Sequence, residues 1–87
     1  MDDVRADALC DAEGQKCPMP VLLARRALKP LAAGQVLELR ATDEAAANDV
    51  PAFCEMSGDT LLGTRREGGV LVFLIRKRAA AEGGAAP

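Results

Sequence analysis

The sequence predicts an α+β domain, a two-layer α/β sandwich of order β-α-β-α-β-β with two helices on one face of a four-stranded mixed sheet. Three observations predict it. Two stretches with helical spacing of apolar residues alternate with short runs of strand character. The last two runs, 60–67 and 70–76, meet at Gly68-Gly69, a strong hairpin signal. A chain of 87 residues has material for one core, since a domain this small buries only about 60% of the surface its unfolded form exposes. The first two strands are expected to run parallel through a right-handed crossover, and the hairpin to supply antiparallel pairs.

Taken in order, residues 1–6 read as a disordered N-terminus. Ala8-Leu9-Cys10 make a short strand, and Asp11-Ala12-Glu13-Gly14 a turn in which Gly14 is free to take a positive φ. Pro18 suits the first helical position, where its missing N–H would have had no partner, so Cys17 is the expected N-cap. Pro20, still in the first turn, costs no intrahelical bond. The helix runs to about Lys29 and ends at Pro30 and the Ala32-Ala33-Gly34 stretch. At about 100° per residue, Val21, Ala24, Leu28 and Leu31 share a stripe flanked by Leu23 and Ala27, the expected core face. Arg25, Arg26 and Lys29 lie opposite, with Met19 and Leu22 on that basic side next to Cys17. This side is either a solvated face with two stray apolar residues or a docking surface rimmed by arginines.

Val36 to Ala41 alternates with period two, placing Leu37, Leu39 and Ala41 inward and Glu38 and Arg40 outward. Thr42 or Asp43 then caps a second helical segment, 44–56, which Pro51 kinks or divides, with Asp49 able to cap the second half. Val50, Phe53, Cys54 and Met56 are its apolar contacts. The final strand is apolar from Val70 to Ile75, which places it centrally in the sheet. With helices on one face only, part of that strand must be shielded by edge charges or by a partner. Residues 7–78 form the folded domain, and the Ala/Gly-rich residues 79–87 read as a disordered tail.

Composition removes whole classes of function. The net charge of −2 lacks the basic excess of a duplex-binding domain, and two phenylalanines with no Tyr or Trp make a poor stacking platform, so no direct nucleic-acid contact is expected. No apolar run approaches the roughly 18 residues of a membrane span, and the N-terminus has no signal core, which predicts a cytoplasmic protein without membrane contact. Histidine is absent, so there is no imidazole base and no His ligand. Three cysteines without paired short spacings indicate neither a disulfide framework nor a zinc site, and no metal or cofactor is expected.

What remains is a reactive thiol. An ordinary cysteine, with a pKa of about 8.5, is mostly protonated at neutral pH. A helix N-terminus favours an anion through its unpaired N–H groups and partial positive charge, so Cys17 is expected to have a lowered pKa, aided by Lys16 and Arg25. The two prolines stiffen the turn and keep the sulfur outward, but also remove two donors. Position alone leaves Cys17 between such a thiol and a plain N-cap. Cys10, in a strand, and Cys54, in a helix beside Val50, read as core, with Cys54 as a resolving thiol the minority alternative.

The stretch Asp11-Ala12-Glu13-Gly14-Gln15-Lys16-Cys17-Pro18-Met19-Pro20 resembles the D-x-x-G-x-x-C-P-x-P signature of the TusA-like, or SirA-like, sulfur-carrier family. The likeness extends through the Gly34 turn, Ala41-Thr42-Asp43, Asp49-Val50-Pro51-Ala52-Phe53-Cys54 and Phe73-Leu74-Ile75-Arg76-Lys77, nearly all of the folded part. It implies the same sandwich and a persulfide carried on Cys17, with Gly14, Lys16, Pro18 and Pro20 shaping the site. Beside such a thiol the helix side with Met19, Leu22, Arg25, Arg26 and Lys29 reads as the docking surface, and the resemblance matches Arg25 and Asp43 to charged positions that the family uses in partner contact or sulfur handling. The implied partners are a cysteine desulfurase or rhodanese-type donor and an acceptor protein in tRNA thiolation, molybdenum-cofactor assembly or sulfur oxidation. One departure is Thr42-Asp43, where some members carry two acidic residues. Such a protein is a sulfurtransferase-like carrier more than an independent enzyme. The alternatives are a regulatory module docking protein or RNA, and a dithiol redox protein pairing Cys17 with Cys10 or Cys54.

Overall fold

The computed structural model describes residues 5–79. The disorder expected of residues 1–6 and 79–87 therefore lies outside the described residues, apart from 5, 6 and 79, which have no regular structure. The elements are β1 (Ala8–Ala12), α1 (Met19–Leu28), β2 (Val36–Ala41), α2 (Ala46–Ser57), β3 (Thr60–Glu67) and β4 (Val70–Arg76). The sheet order is β1-β2-β4-β3, with β1 parallel to β2 and the other pairs antiparallel. This is the expected two-layer sandwich, with the apolar strand β4 in the interior of the sheet.

Register explains the core. Cross-strand partners share a face, and the rows Ala8–Leu37–Ile75–Leu61 and Cys10–Leu39–Phe73–Thr64 run across all four strands. Leu37, Leu39, Phe73 and Ile75 in these rows are fully buried, and they form one cluster with Ala24 and Leu28 of α1 and Ala46, Val50 and Cys54 of α2. Both helices therefore cover the same face. Strand β1 runs two residues beyond the expected Cys10, because Asp11 and Ala12 pair with Arg40 and Ala41 and bury the Ala12 methyl where the turn was expected to begin.

On the opposite face the row Asp11–Arg40–Val72–Arg65 leaves Val72 between two arginines, and Val72 is 1% exposed. Arg40 bridges to Glu13, Glu38 and Glu67, and Arg65 also meets Glu67. Long basic side chains lay their methylene stems over apolar neighbours while the heads stay wet. Charged residues thus shield this part of β4, one of the two covers the sequence suggested.

Helix α2 departs from expectation at its start, and of the two effects expected of Pro51 division is ruled out. Residues 43–45 form a preceding turn rather than helix: Asp43 Oδ1 accepts from the Ala45 N–H at 3.1 Å, and the Asp43 carbonyl accepts from Ala46. Pro51 sits inside the helix without dividing it. Burial of Ala46, Val50 and Cys54 on one face holds the segment across the missing backbone bond. At its end Gly58, at φ +90°, returns its N–H to the Cys54 carbonyl. Among the described residues, no helix is long and apolar enough to cross a membrane.

Candidate functional site: an exposed thiol held by two carboxylates

The loop from β1 to α1 is fastened at successive points. Gly14, at φ +83°, donates its N–H to Thr42 Oγ1 at 2.8 Å, a backbone shape that a side chain would strain. The Gln15 N–H returns to the Ala12 carbonyl, and the Met19 N–H to the Lys16 carbonyl, closing a tight turn around Cys17 and Pro18. The Cys17-Pro18 peptide bond is cis. The Cys17 N–H donates to Asp43 Oδ2 at 2.6 Å, and the Cys17 thiol donates to Asp49 Oδ2 at 2.9 Å. Residues from the loop after β2 and the first turn of α2 therefore hold the thiol loop, with the sulfur-bearing residue itself exposed.

Two expectations about Cys17 are overturned. The N-cap of α1 is Pro18, at φ −97° and ψ 15°, and no side chain caps it. Cys17 stands one residue earlier, inside the turn that the Met19 N–H closes on the Lys16 carbonyl as the helix begins. The thiol pKa is raised, not lowered: the hydrogen bond to Asp49 favours the protonated form, and the charges of Asp49 and Asp43 add to it. The helix N-terminus gives little in return. Pro18 and Pro20 have no N–H, the Met19 N–H is spent on Lys16, and the Cys17 N–H on Asp43. Lys16 acts on Asp43, whose carboxyl is held below its usual range by the Cys17 and Ala45 backbone donors, with the Lys16 charge as a further cause.

The predicted site residues fall into two groups. Gly14, Lys16, Pro18 and Asp43 belong to the loop that carries Cys17 or fasten it, while Pro20 is buried in the first turn of α1. Leu22, Arg25, Arg26 and Lys29 line a groove of about 620 Å³ between the C-terminal parts of α1 and α2, with Phe53 and Met56 opposite. Met19 is half-buried and does not line that groove. Met56, expected as a core contact, is 88% exposed, and with Leu22 at 40% it gives the groove an apolar lip. Arg25, Arg26 and Lys29 form no ion pair among the described residues, so the rim is basic.

Sequence reasoning gave Asp49 and Thr42 only capping roles and did not foresee their bonds to the thiol loop. The signal was present, since an acidic residue opens α2 and lies within the matching Asp49-Val50-Pro51 segment. Of the other cysteines, Cys54 is 4% exposed with its thiol pushed up to about 11 by burial, and Cys10 is half-buried with its thiol also raised by burial. All three are free, and Cys17 alone is exposed. Among the described residues no His, Cys, Asp and Glu cluster is arranged to hold a metal ion.

Comparison with known proteins agrees with this architecture. The family described as "Sulfurtransferase TusA" matches residues 9–77. The sulfur carrier protein TusA of Pseudomonas entomophila is 43% identical over 79 residues, covering 91% of this chain and 99% of its own. That of Allochromatium vinosum is 41% identical over 71 residues, covering 82% and 93%. A putative sulfur carrier protein of Bacillus subtilis, YrkI, is 40% identical over 74 residues, covering 85% and 99%. The crystal structure of a SirA-like protein from Desulfitobacterium hafniense superposes with a TM-score of 0.72 at 27% identity, covering 82% of this chain and 97% of that one. Fold, length and sequence agree across nearly the whole domain, and the chain belongs to the TusA family.

Proposed function

We propose that this sulfur carrier holds sulfane sulfur as a persulfide on Cys17 and relays it, in the cytoplasm, from a donor to an acceptor protein. The donor is a cysteine desulfurase or a rhodanese-type protein, and the acceptor serves tRNA thiolation, cofactor assembly or sulfur oxidation. The observation that carries this reading is that Cys17 alone of the three thiols is exposed, on a turn anchored at Gly14 and Cys17. Burial and the raised pKa of Cys54 make a poor resolving thiol, which argues against a dithiol cycle.

The chain offers a carrier atom but no general base of the imidazole type, so the partner provides the rest of the active site. Partners meet the groove side, where Leu22 and Met56 supply apolar contact and Arg25, Arg26 and Lys29 steer an acidic surface. Lys16 and Asp43 frame the thiol itself, and Met19 flanks it.

Incubation with a persulfide donor followed by intact-mass measurement is expected to add about 32 Da, one sulfur, removable by a thiol reductant. The adduct should be absent in Cys17→Ser and kept in Cys54→Ala. An adduct that persists in Cys17→Ser would refute the assignment. Arg25→Glu should leave loading by inorganic polysulfide intact while slowing transfer from a protein donor by about tenfold or more, with a weaker salt dependence. Equal slowing with both donors would place Arg25 outside the docking surface.

A further inference from the structure

Asp49 stands in the first turn of α2, and the fold alone does not account for where its side chain goes. An acid in a helix's first turn suits the macrodipole wherever its carboxylate points. The turn that opens α2 is already served by Asp43, through Oδ1 to Ala45 and its carbonyl to Ala46. Among the described residues the side chain of Asp49 has one hydrogen-bond partner, Cys17 Sγ, 32 residues away in sequence and 2.9 Å away in space. Its carboxylate is thus directed at the one exposed thiol.

We propose that Asp49 holds the proton of the empty Cys17 thiol and releases the sulfur once it is loaded, so that the empty and loaded carriers differ in both charge and position at the surface. This rests on the carrier reading above and adds to it the residue that separates the two states. The bond accounting requires the change. In the empty protein Sγ carries one hydrogen, and Asp49 accepts it. In the loaded protein Sγ is bonded to Cβ and to the terminal sulfur, so it has no hydrogen left to donate and the contact with Asp49 is lost. Hydropersulfides are stronger acids than thiols, so the terminal sulfur is anionic at neutral pH and repelled by the carboxylates beside it.

The transfer step is balanced without an oxidant. Cys17 Sγ attacks the terminal sulfur of a donor persulfide, R–S–S⁻; the donor S–S bond breaks and a new S–S bond forms on Sγ. The electron pair leaves on the donor sulfur, which takes up the proton that Sγ gives to Asp49, so that R–S–S⁻ and Cys17–SH become R–SH and Cys17–S–S⁻.

The carboxylates facing the thiol from the packed elements act in the same direction on it. Asp49 comes from α2, Asp43 from the loop before it, and Lys16 is the chain neighbour whose charge acts on Asp43. The basic residues Arg25 and Arg26 of α1 lie in its last turn, at the far end from the thiol. The raised pKa of Cys17, with Asp49 its leading cause, is consistent with this arrangement.

The test is the pH dependence of iodoacetamide alkylation at Cys17, read by peptide mass spectrometry on empty protein. The wild-type midpoint should lie above that of a free cysteine peptide. In Asp49→Asn it should move down, with alkylation at neutral pH several-fold faster, and Asp43→Asn should move it less. On loading the wild type, the ¹³C carboxyl resonance of Asp49 should shift while that of Asp59 does not. A wild-type midpoint at or below that of the free peptide, an unmoved or higher midpoint in Asp49→Asn, or an Asp49 resonance indifferent to loading would each overturn the proposal. Should Asp49→Asn fail to fold, the wild-type midpoint and the carboxyl resonance still decide. A wild type that gains no sulfur at all would instead remove the carrier reading, while the alkylation profile would continue to report on Asp49.

Discussion

At Cys17 two carboxylates do different things. Asp49 takes the side-chain hydrogen, while Asp43 takes the backbone N–H at 2.6 Å and with its other oxygen closes the turn into α2. Asp43 is therefore the positional anchor, and its loss should loosen the loop. Asp43→Ala is expected to slow sulfur acceptance from a protein donor by an order of magnitude or so, the cost of a reacting atom displaced by a fraction of an ångström to an ångström. Single-turnover mass spectrometry reads the rate, and an unchanged rate would show that the turn holds without it. The pH behaviour has a definite sign. The Asp43 carboxyl is depressed below its ordinary 3.8 by the Cys17 and Ala45 donors, so its contribution is complete above that value and is lost as pH falls through the lower folded value. The Cys17 amide proton should accordingly keep its downfield shift through mild acid and lose it only below that ordinary value. Cys17 was legible as the candidate site through the D-x-x-G-x-x-C-P-x-P match, because position alone left it between a reactive thiol and a plain N-cap. Its place ahead of the helix was not legible. Nor was the thiol contact of Asp49, because nothing in the local pattern of α2 says which distant atom its carboxylate will meet.

Among the elements, β2 and the β3–β4 hairpin follow the sequence closely, since period-two alternation and Gly68-Gly69 are local signals that burial reinforces. Helix α2 was harder to read. Its start depends on Asp43 capping a turn ahead of the helix, and its continuity through Pro51 depends on Val50 and Cys54 being held in the core. Its end is simpler. Gly58 holds φ at +90°, and a Cβ built there would come only to 3.4 Å from Arg78 Cδ, so a side chain at this position is strained by backbone conformation more than by space. Gly58→Ala should cost about 1–2 kcal/mol, and Gly58→Asn less, because Asn tolerates the left-handed region better. For a domain of this size that is a fall in Tm of roughly 4–8 °C per kcal/mol, measurable by circular dichroism. Equal losses for the two substitutions would point to crowding against Arg78 instead.

At the scale of the whole molecule, a sheet covered on one face has one core, and each layer depends on it. Helices α1 and α2 seal Leu39 and Phe73 from one side, while charges over Val72 seal the other, leaving Leu9 and Leu62 exposed on the two edge strands. That one-sided plan was legible from the order of elements; the arginine cover was not specified, because it depends on the cross-strand register of Arg40, Val72 and Arg65. The single core also fixes how the protein should respond to alkali. Cys54 lies within it, and burial pushes its thiol from 9.0 up to about 11, so the unfolded chain releases this proton at lower pH than the folded one. A folded pKa raised above the unfolded value gives stability that is fully present below pH 9 and is lost progressively as pH rises toward 11. Cys10, also raised, contributes in the same direction. Urea unfolding at intervals across that window should show the wild type losing stability more steeply than Cys54→Ala, which starts lower because of the cavity it opens but lacks this titration. If the two curves stay parallel up to pH 11, Cys54 ionises in the folded protein as easily as in the unfolded one, and the core around it is more accessible to water than its 4% exposure indicates.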